Sequence, residues 1–459
     1  MSEQRKTEQT ALQGSLKAVT QIEGKGQPKI GVDEFMSVAE RFGLMPETLE
    51  QIRALVETEE TGAGPFLANY YADLPETKVQ AFQRVARETF GVEQAIGTSS
   101  GTGALHAAFV AAGVGPGTEV ICPAIGFFAT AAAVVVANGV PVFCDVDDSL
   151  SMDPRKIESL ITERTIALAP TCVMGTVPDM DPIVAIARKH GLKVVEDCAQ
   201  ACGGKYRDRY VGTIGDIGCF SISAYKIVGG GEGGLLLTDD ELLWDRANCL
   251  AEGGGLWRPE RFAPPRYEGE LFCGTNYRMS ELEAAVDVIQ LQKMPEITER
   301  FRRVKRAVCA ELKHYCEIVP QRLNDADGEV GYTLRFYPES IELGERILES
   351  LKEQNIGAGM RGHSGGPDWH IYHSMFPLNR GSGATAESCS FHCPTYRKQA
   401  GPPEYARGTC PVADDLFGRM INIGLNQWYT ENDCRQIGQA IDRALAAHCT
   451  ADGDGAVWR

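Results

Sequence analysis

The spacing of hydrophobic and polar residues changes several times along the chain. Residues 1–30 are polar without an apolar period, which predicts a mobile arm. Apolar side chains then recur at helical spacing over residues 33–42 and 47–56, and a Gly-rich joint at 61–65 precedes a third helical pattern at 77–90. The pattern predicts two short helices ahead of the main fold.

Short β-branched runs alternate with helical patterns from about residue 95 to residue 250. The predicted strands cover residues 120–122, 140–144, 166–172, 193–197, 216–221 and 233–238. The predicted helices between them cover residues 102–113, 127–138 and 181–190. This βαβ rhythm is typical of an α/β fold with a mostly parallel sheet that is covered by helices on both faces.

The C-terminal part of the chain has a different character. A long helical pattern at 279–314 joins the α/β region to a smaller α+β region. Within the smaller region, residues 377–412 are rich in Gly, Pro, Ser and Cys, which predicts an irregular insertion. The sequence therefore predicts four parts: a mobile arm at 1–30, a helical preface at 31–62, a large α/β domain at 63–305 and a small C-terminal α+β domain at 306–459.

Composition and charge narrow the range of functions. The 459 residues are 43% hydrophobic and 23% charged, which excludes a disordered or fibrous chain. Acidic residues outnumber basic ones by 62 to 45, and the net charge of −17 disfavours a nucleic-acid partner. The 15 cysteines show no disulfide-framework spacing, and the polar N-terminus differs from a signal peptide. The longest apolar stretch, 129–137, is far shorter than the ~20 residues of a membrane span, so we expect a cytoplasmic protein.

Two polar residues follow predicted strands where α/β folds bind ligands. The strand at 193–197 ends in Asp197, at the carboxyl edge of the sheet. Lys226 follows a later strand and precedes glycines within 229–234 that let a ligand approach the backbone. Taken singly, both have ordinary explanations, because strand-end aspartates often cap turns and most lysines are surface charges.

A third element, TSSGTG at residues 98–103, precedes a predicted helix and offers N–H groups to a phosphate. It has neither the GxxxxGK[ST] of a P-loop nor the GxGxxG of a dinucleotide site, so nucleotide hydrolysis and nicotinamide binding are disfavoured. A phosphate site, a strand-end carboxylate and a lysine are together what pyridoxal phosphate requires. The lysine forms a Schiff base, and the carboxylate keeps the pyridine nitrogen protonated.

Five ordered motifs resemble the DegT/StrS family of fold-type I pyridoxal phosphate enzymes that aminate keto sugars. They are SSGTGAL (99–105), GTEVICPAIGFFATAAAV (117–134), VVEDCAQACGGKY (194–206), GTIGDIGCFSISAYKIVGGGEGG (212–234) and GTNYRMSELEAA (274–285). The resemblance implies a large domain with a mostly parallel central sheet, a smaller α+β domain, and a homodimer with shared active sites.

The resemblance also implies a role for each residue that matches a motif. Lys226 is the catalytic lysine that forms the internal aldimine, and Asp197 is the partner of the pyridine nitrogen. Phe127 lies against the cofactor ring, and Gln200 approaches its 3-oxygen. The implied phosphate ligands are Gly101, Thr102, Ser221 and, from the neighbouring subunit, Asn276. Phe127 could instead be an ordinary core residue, and Asn276 could be a turn residue. Ser223 is an alternative to Ser221 as the phosphate ligand.

The implied reaction is ping-pong transfer of an amino group from an amino acid, glutamate or glutamine, to a ketone on a sugar, nucleotide-sugar or cyclitol. A loop at 171–175 without the family's usual histidine, the helical preface and the insertion at 377–412 depart from the family pattern and leave the substrate open. The alternatives are dehydration, decarboxylation or oxidation with the same cofactor, and a non-catalytic regulator. Retention of Lys226 favours amino transfer.

Several further residues are weaker candidates. His363 and His370 are candidate substrate contacts from the C-terminal domain, and Tyr70 is one from the segment after the Gly-rich joint. A Cys–His group in the insertion does not match a zinc-finger spacing, so we expect no metal site. Its members are Cys389, His392, Cys393 and Cys410.

Overall fold

The computed structural model describes residues 29–59, 67, 75–256, 262–363, 365–381, 389–398, 400–401, 403–455 and 457–459. It contains two compact units, Met1–Leu74 and Pro75–Arg459. The described part of the first unit contains the predicted preface helices, Val32–Glu40 and Pro46–Val56. An exposed ion pair of 2.8 Å between Arg53 and Asp33 links these two helices.

The second unit contains a seven-stranded sheet with the strand order β1-β9-β8-β5-β4-β2-β3. Its strands are β1 (Gln94–Thr98), β2 (Glu119–Pro123), β3 (Val140–Cys144), β4 (Thr165–Leu168), β5 (Lys193–Asp197), β8 (Ile217–Ser221) and β9 (Gly234–Thr238). The pairs from β3 through β2, β4 and β5 to β8 are parallel. Only β9 runs antiparallel to both of its neighbours. The prediction of a mostly parallel central sheet is confirmed.

Helices cover both faces of this sheet. One face packs against Gly101–Ala111, Ala129–Val136 and Glu241–Ala251. The other face packs against Lys78–Phe90, Met180–His190 and the first half of Glu281–Cys309. Because strands such as β2 and β9 are buried along their whole length, they read as continuous apolar runs in the sequence. None of the helices in the described ranges is long and apolar enough to cross a membrane.

The structure corrects some predicted element bounds. The strand predicted at 166–172 ends at Leu168, because Pro170 cannot donate to a sheet ladder and the chain turns there into a short 3₁₀ segment, Val173–Gly175. The helix predicted at 127–138 begins at Ala129, so Phe127 precedes it. Strand β1 is not predicted from the sequence, because QAIGT has only a weak apolar pattern. These residues form a strand because they pair with β9.

A smaller four-stranded sheet lies in the C-terminal part, with the order β10-β11-β13-β12. Its strands are β10 (Ile318–Pro320), β11 (Thr333–Pro338), β12 (Ala358–Gly359) and β13 (Ile421–Gly424). Helices Ile341–Glu353 and Glu431–Ala446 and the end of Glu281–Cys309 share an apolar core with it. The remaining elements are β6 (Lys205–Tyr206), β7 (Arg209–Tyr210), helices Pro154–Ile157, Phe376–Asn379, Cys389–His392, Pro394–Arg397 and Pro411–Arg419, and 3₁₀ segments Glu158–Leu160 and Tyr372–Ser374.

The segment that contains the predicted insertion packs on the edge of the large sheet. The hydroxyl of Tyr396 donates to the carboxylate of Glu119 at 3.0 Å, and the hydroxyl of Tyr405 donates to the carbonyl of Pro141 at 2.8 Å. Asp145 accepts hydrogen bonds from the first-turn N–H groups of the helix Pro411–Arg419. The described part of the insertion is therefore attached to β2 and β3 of the large sheet.

Candidate active site

A cavity of about 300 Å³ lies where β5 and β8 end, next to the N-terminus of the helix Gly101–Ala111. The structure brings seven of the predicted site residues to its wall: Gly101, Thr102, Phe127, Asp197, Gln200, Ser221 and Lys226. These residues come from four separate stretches of sequence. Their convergence follows from the sheet order, which places the carboxyl ends of β5 and β8 side by side.

Asp197 is held in the cavity as a buried carboxylate. Its Oδ2 accepts a hydrogen bond of 2.5 Å from the hydroxyl of Thr130, and its Oδ1 accepts one of 3.1 Å from the N–H of Ala199. Burial raises the pKa of Asp197, while these two donors and the charge of Lys226 oppose the rise. Thr130 was not among the predicted site residues. A lone hydroxyl in an apolar helix needs a partner, and this was the available signal.

Lys226 is half-buried in the same cavity. Burial lowers the pKa of its ammonium group, and the negative charge of Asp197 opposes this effect. Within the described part of the chain, no hydrogen bond or ion pair to Nζ is found, so the amine is available to a ligand. Lys226 and Gln200 also line a second cavity of about 400 Å³, which reaches Tyr332.

The phosphate site predicted at 98–103 is a tight junction between a helix and a strand. A Cβ on Gly101 would lie 2.7 Å from Cβ of Ser221 and 2.9 Å from its Cα, so only glycine lets β8 end this close to the helix. Ser100 caps the helix by accepting a hydrogen bond of 3.0 Å from the N–H of Gly103. The N–H groups of Gly101 and Thr102 have no partner among the described residues, and both residues line the cavity.

A C-terminal segment reaches this cavity through main-chain pairing. The N–H of Gly126 donates to the carbonyl of His370 at 2.9 Å, and the N–H of Tyr372 donates to the carbonyl of Ala124 at 3.0 Å. The ring of His370 therefore lies 5.2 Å from the ring of Phe127, measured between centroids. Its Nε2 also lies 3.2 Å from Nε2 of Gln200.

The hydrogen bonds around Gln200 indicate which ring nitrogen of His370 accepts a hydrogen bond. Oε1 of Gln200 accepts from the N–H of Met174 at 2.7 Å, so the facing atom toward His370 is the amide nitrogen, a donor. Nε2 of His370 must then be the acceptor. Its Nδ1 therefore carries the proton and donates to Asp368 at 2.9 Å.

Of the other predicted site residues, His370 contacts the ring of Phe127, whereas the described residues His363 and Asn276 do not line the cavity. His363 is exposed and forms an ion pair of 2.9 Å with Glu342. Asn276 is exposed, and its Oδ1 accepts from the N–H of Arg278 at 3.1 Å. Tyr70 and the Gly-rich joint at 61–65 lie outside the described residues.

A buried carboxyl group lies against the glycine loop that follows Lys226. Asp287 is fully buried, and neither of its carboxyl oxygens has a hydrogen-bond partner. Its Oδ1 lies 1.8 Å from the point where a Cβ on Gly230 would stand, so glycine at 230 makes room for this carboxyl. Burial, together with the negative charge of Glu283, raises the pKa of Asp287 from 3.8 to about 7. The group is therefore partly protonated at neutral pH.

Replacing Asp287 with asparagine is expected to stabilise the protein at high pH and to have little effect at low pH. Between pH 4 and pH 7 the unfolded chain loses the Asp287 proton while the folded protein keeps it, so stability falls as pH rises through this window. The gain for Asp287→Asn should be near zero at pH 4 and up to about 4 kcal/mol at pH 8. Urea unfolding at several pH values measures this difference. A gain of equal size at pH 5 and pH 8 would contradict the assignment, and Glu283→Gln should reduce the gain.

Comparison with known proteins agrees with this geometry. The family model described as "DegT/DnrJ/EryC1/StrS aminotransferase family" matches residues 70–364. An L-glutamine:2-deoxy-scyllo-inosose aminotransferase from Micromonospora echinospora is 34% identical over 387 residues, which are 80% of this chain and 87% of that protein. A GDP-perosamine synthase from Caulobacter vibrioides is 39% identical over 224 residues, which are 49% of this chain and 58% of that protein.

A solved structure supports the same assignment of fold. The aminotransferase from Psychrobacter cryohalolentis superposes with a TM-score of 0.66 at 28% identity. The similarity covers 83% of this chain and 93% of that one. The predicted fold class is therefore confirmed over most of the chain.

Proposed function

The chain belongs to the DegT/DnrJ/EryC1/StrS aminotransferase family, and we propose that it moves an amino group from glutamate or glutamine to a ketone on a sugar, nucleotide-sugar or cyclitol. The observation that carries the proposal is the single cavity that Lys226, Asp197 and the Gly101–Ser221 junction share. Pyridoxal phosphate is the expected cofactor of this family. The named relatives include a cyclitol aminotransferase and an enzyme of nucleotide-sugar synthesis.

The residues present fit this cofactor. The junction between Gly101 and Ser221 leaves no space for a side chain at 101, and the adjacent helix N-terminus offers free N–H groups to a phosphate. A buried, desolvated carboxylate at Asp197 suits a cationic ring nitrogen, and a free amine at Lys226 suits an aldehyde. When bound, pyridoxal phosphate supplies an electron sink for the carbanion formed at the amino acid Cα.

The chain's own residues then have distinct tasks. Asp197, fixed by Thr130 and Ala199, holds a proton on the cofactor ring nitrogen. Lys226 binds the cofactor in the resting enzyme and afterwards moves a proton through Nζ, for which its lowered pKa is suitable. Phe127 and Gln200 line the same cavity, so Phe127 would lie against the cofactor and Gln200 would offer it a hydrogen bond. Thr102 and Ser221 provide hydroxyls for the phosphate. Ser223 is the alternative to Ser221 in this role.

Amino donors alone should convert the holoenzyme. We expect that glutamate or glutamine, added without a ketone, removes the visible absorption of the bound cofactor, because the amino group passes to it in the first half of a ping-pong reaction. Adding a keto sugar or keto cyclitol should restore the absorption. Stopped-flow absorbance measures both halves separately, with an incubation without a donor as the control. Turnover of a ketone without consumption of a donor would contradict amino transfer.

We further propose a homodimer with shared active sites. Tyr225 lines the cavity, yet its side chain is 99% exposed in the single chain. Phe262 is 84% exposed, and Asn276 is exposed in the segment just before the long helix. A second copy of the chain that covers these residues would remove exposed aromatic surface and bring its own Asn276 to the phosphate.

The proposed compartment is the cytoplasm. The 15 cysteines are scattered through the chain, and most of those described are buried. The sulfurs of Cys172 and Cys198 lie 3.9 Å apart beside Asp197. The contact with Cys198 lowers the pKa of Cys172, but burial and nearby carboxylates outweigh it, and burial raises the pKa of Cys198, so both thiols are less reactive toward oxidants. Such thiols are compatible with a reducing compartment.

A further inference from the structure

The short 3₁₀ segment Val173–Gly175 contains a residue in an unfavourable backbone conformation. Met174 has a φ of 50° and a ψ of 34°, which is the left-handed region that residues with a side chain rarely adopt. Strain of this kind persists only where the surrounding structure enforces it, and it is concentrated at functional sites. The contacts of Met174 therefore show what the strained conformation is used for.

Both main-chain polar groups of Met174 are held by other parts of the chain. Its N–H donates a hydrogen bond of 2.7 Å to Oε1 of Gln200. Its carbonyl accepts one of 3.2 Å from the hydroxyl of Thr333 and another from Nη2 of Arg335. Because methionine has no preference for the left-handed region, these contacts set the conformation of Met174.

Arg335 is a buried and firmly held donor. Its side chain and that of Thr333 lie two residues apart on β11, so both leave the same face of the strand. Its other N–H groups donate to Oδ1 of Asn422 at 3.2 Å and to Oε1 of Gln321 at 2.7 Å. These acceptors are neutral oxygens, and no carboxylate of the described residues pairs with Arg335. The planar guanidinium is therefore fixed between the smaller sheet and Met174.

The orientation of the Gln200 amide depends on Met174. Since Oε1 accepts from Met174, the amide nitrogen lies on the opposite side, 3.2 Å from Nε2 of His370. This nitrogen carries two hydrogens, so one remains available to the cavity that Gln200 lines. The main chain of Gln200 is held as well, because the hydroxyl of Tyr332 donates to its carbonyl at 3.1 Å. If Met174 left the left-handed region, its N–H would turn away and the amide would be free to present its oxygen to the cavity.

We propose that Arg335 is a positioning residue of the active site: it keeps Met174 in the left-handed conformation and thereby makes Gln200 a hydrogen-bond donor toward the cofactor. The inference rests on the proposed function, in which Gln200 lies against pyridoxal phosphate. A donor stabilises the anionic ring oxygen of this cofactor, whereas an amide oxygen in the same place would repel it. Arg335 does not line the cavity, so it acts only through Met174 and Gln200.

A spectral pH titration of the holoenzyme tests this role. A hydrogen bond to the ring oxygen weakens its hold on the proton of the linkage to Lys226, so the absorption changes at a lower pH while Gln200 donates. We expect Arg335→Met to raise the midpoint by about one pH unit and the dissociation constant of pyridoxal phosphate about 10-fold. Arg335→Lys should give intermediate values, because it keeps the charge but loses the fork of donors.

Arg246→Met is the matched control for the loss of an arginine. Arg246 also donates to main-chain carbonyls, and it does not line the cavity. This variant should leave the midpoint and the cofactor affinity unchanged. An unchanged midpoint for Arg335→Met would overturn the proposal.

A second substitution separates control of the backbone from loss of charge or stability. Glycine adopts the left-handed conformation without a steric penalty, so adding Met174→Gly to Arg335→Met should move the midpoint back toward the wild-type value. Alanine has the same penalty as methionine, so adding Met174→Ala should not. Equal effects of the two added substitutions would overturn the proposed control of Met174.

Failure of this inference and failure of the proposed function give different results. If Arg335→Met does not fold, Thr333→Val removes the other bond to the Met174 carbonyl and should raise the midpoint by a smaller amount. If the wild type binds no pyridoxal phosphate, the proposed function fails. Urea unfolding of the cofactor-free proteins then still measures the coupling between Arg335 and Met174. Non-additive effects of their substitutions would support the hold on Met174, and additive effects would overturn it.

Discussion

Replacing Lys226 with alanine is expected to lower the rate of amino transfer by at least about 10³-fold, because the variant loses both the amine that binds the cofactor and the group that moves the proton. Lys226 is suited to these tasks, since burial lowers the pKa of its ammonium and no described residue pairs with it. Single-turnover measurements with glutamate and with glutamine give the size of the loss. The visible absorption of the lysine-bound cofactor should disappear as well.

Two comparisons separate a chemical role from a structural one. Lys189→Ala removes an exposed lysine that pairs with Glu158 and should leave the rate unchanged. A small primary amine added to Lys226→Ala should restore part of the proton transfer, because it can enter the space that the side chain leaves. An unchanged rate or spectrum for Lys226→Ala would refute the assignment.

Lys226→Ala, combined with a second variant, also tests the proposed shared site. Asn276→Ala should weaken cofactor retention without separating the dimer. If Asn276 acts on the neighbouring subunit's site, mixing it with Lys226→Ala should place both changes in one site and leave the other site intact. Recovered activity in the mixed dimers is therefore expected. A monomer that retains cofactor and full activity would contradict the shared site.

Asp197→Asn is expected to lower turnover by about 10²-fold or more while leaving the cofactor-free protein at least as stable as the wild type. The loss arises because an amide cannot hold a proton on the ring nitrogen by charge. The stability follows from burial, which raises the pKa of Asp197 and makes its charge unfavourable before the cofactor binds. Turnover and thermal unfolding of the cofactor-free form are the two measurements.

The surrounding hydrogen bonds allow this substitution. The amide oxygen can accept from the N–H of Ala199, and the amide nitrogen can donate to Thr130. The Thr130 hydroxyl then turns to the carbonyl of Phe127, 3.4 Å away. If Asp197 were only a structural residue, Asp197→Asn would lower stability and turnover together. Thr130→Val should give a smaller loss of turnover, because it removes one positioning bond and keeps the charge.

Much of the fold and the centre of the site could be predicted from the sequence. Strand β5 and the helix Met180–His190 have strong local patterns, and Lys226, Asp197 and Gly101 lie in motifs with a defined order. Motifs of this kind are local in sequence, so they can be identified without knowing how the chain packs. The predicted α/β class, the family and the cofactor are confirmed on this basis.

The parts that could not be predicted depend on contacts between distant segments. Thr130 bonds to Asp197 across 67 residues, and Gln200 meets His370 across 170 residues. No local pattern marks either pair, because the partners are set by the sheet order and by the path of the C-terminal segment.

The main-chain pairing of residues 124–126 with 370–372 has a mechanical consequence. Enzymes with two lobes often admit substrate by a hinge motion of one lobe. Here the residues after β12 are hydrogen-bonded to the stretch that carries Phe127, and the neighbouring insertion is attached to β2 and β3. A swing of the smaller sheet would have to break these bonds or move Phe127 with it. Substrate entry is therefore expected to leave this pairing in place, with Phe127 and the segment 370–372 as one fixed side of the entrance.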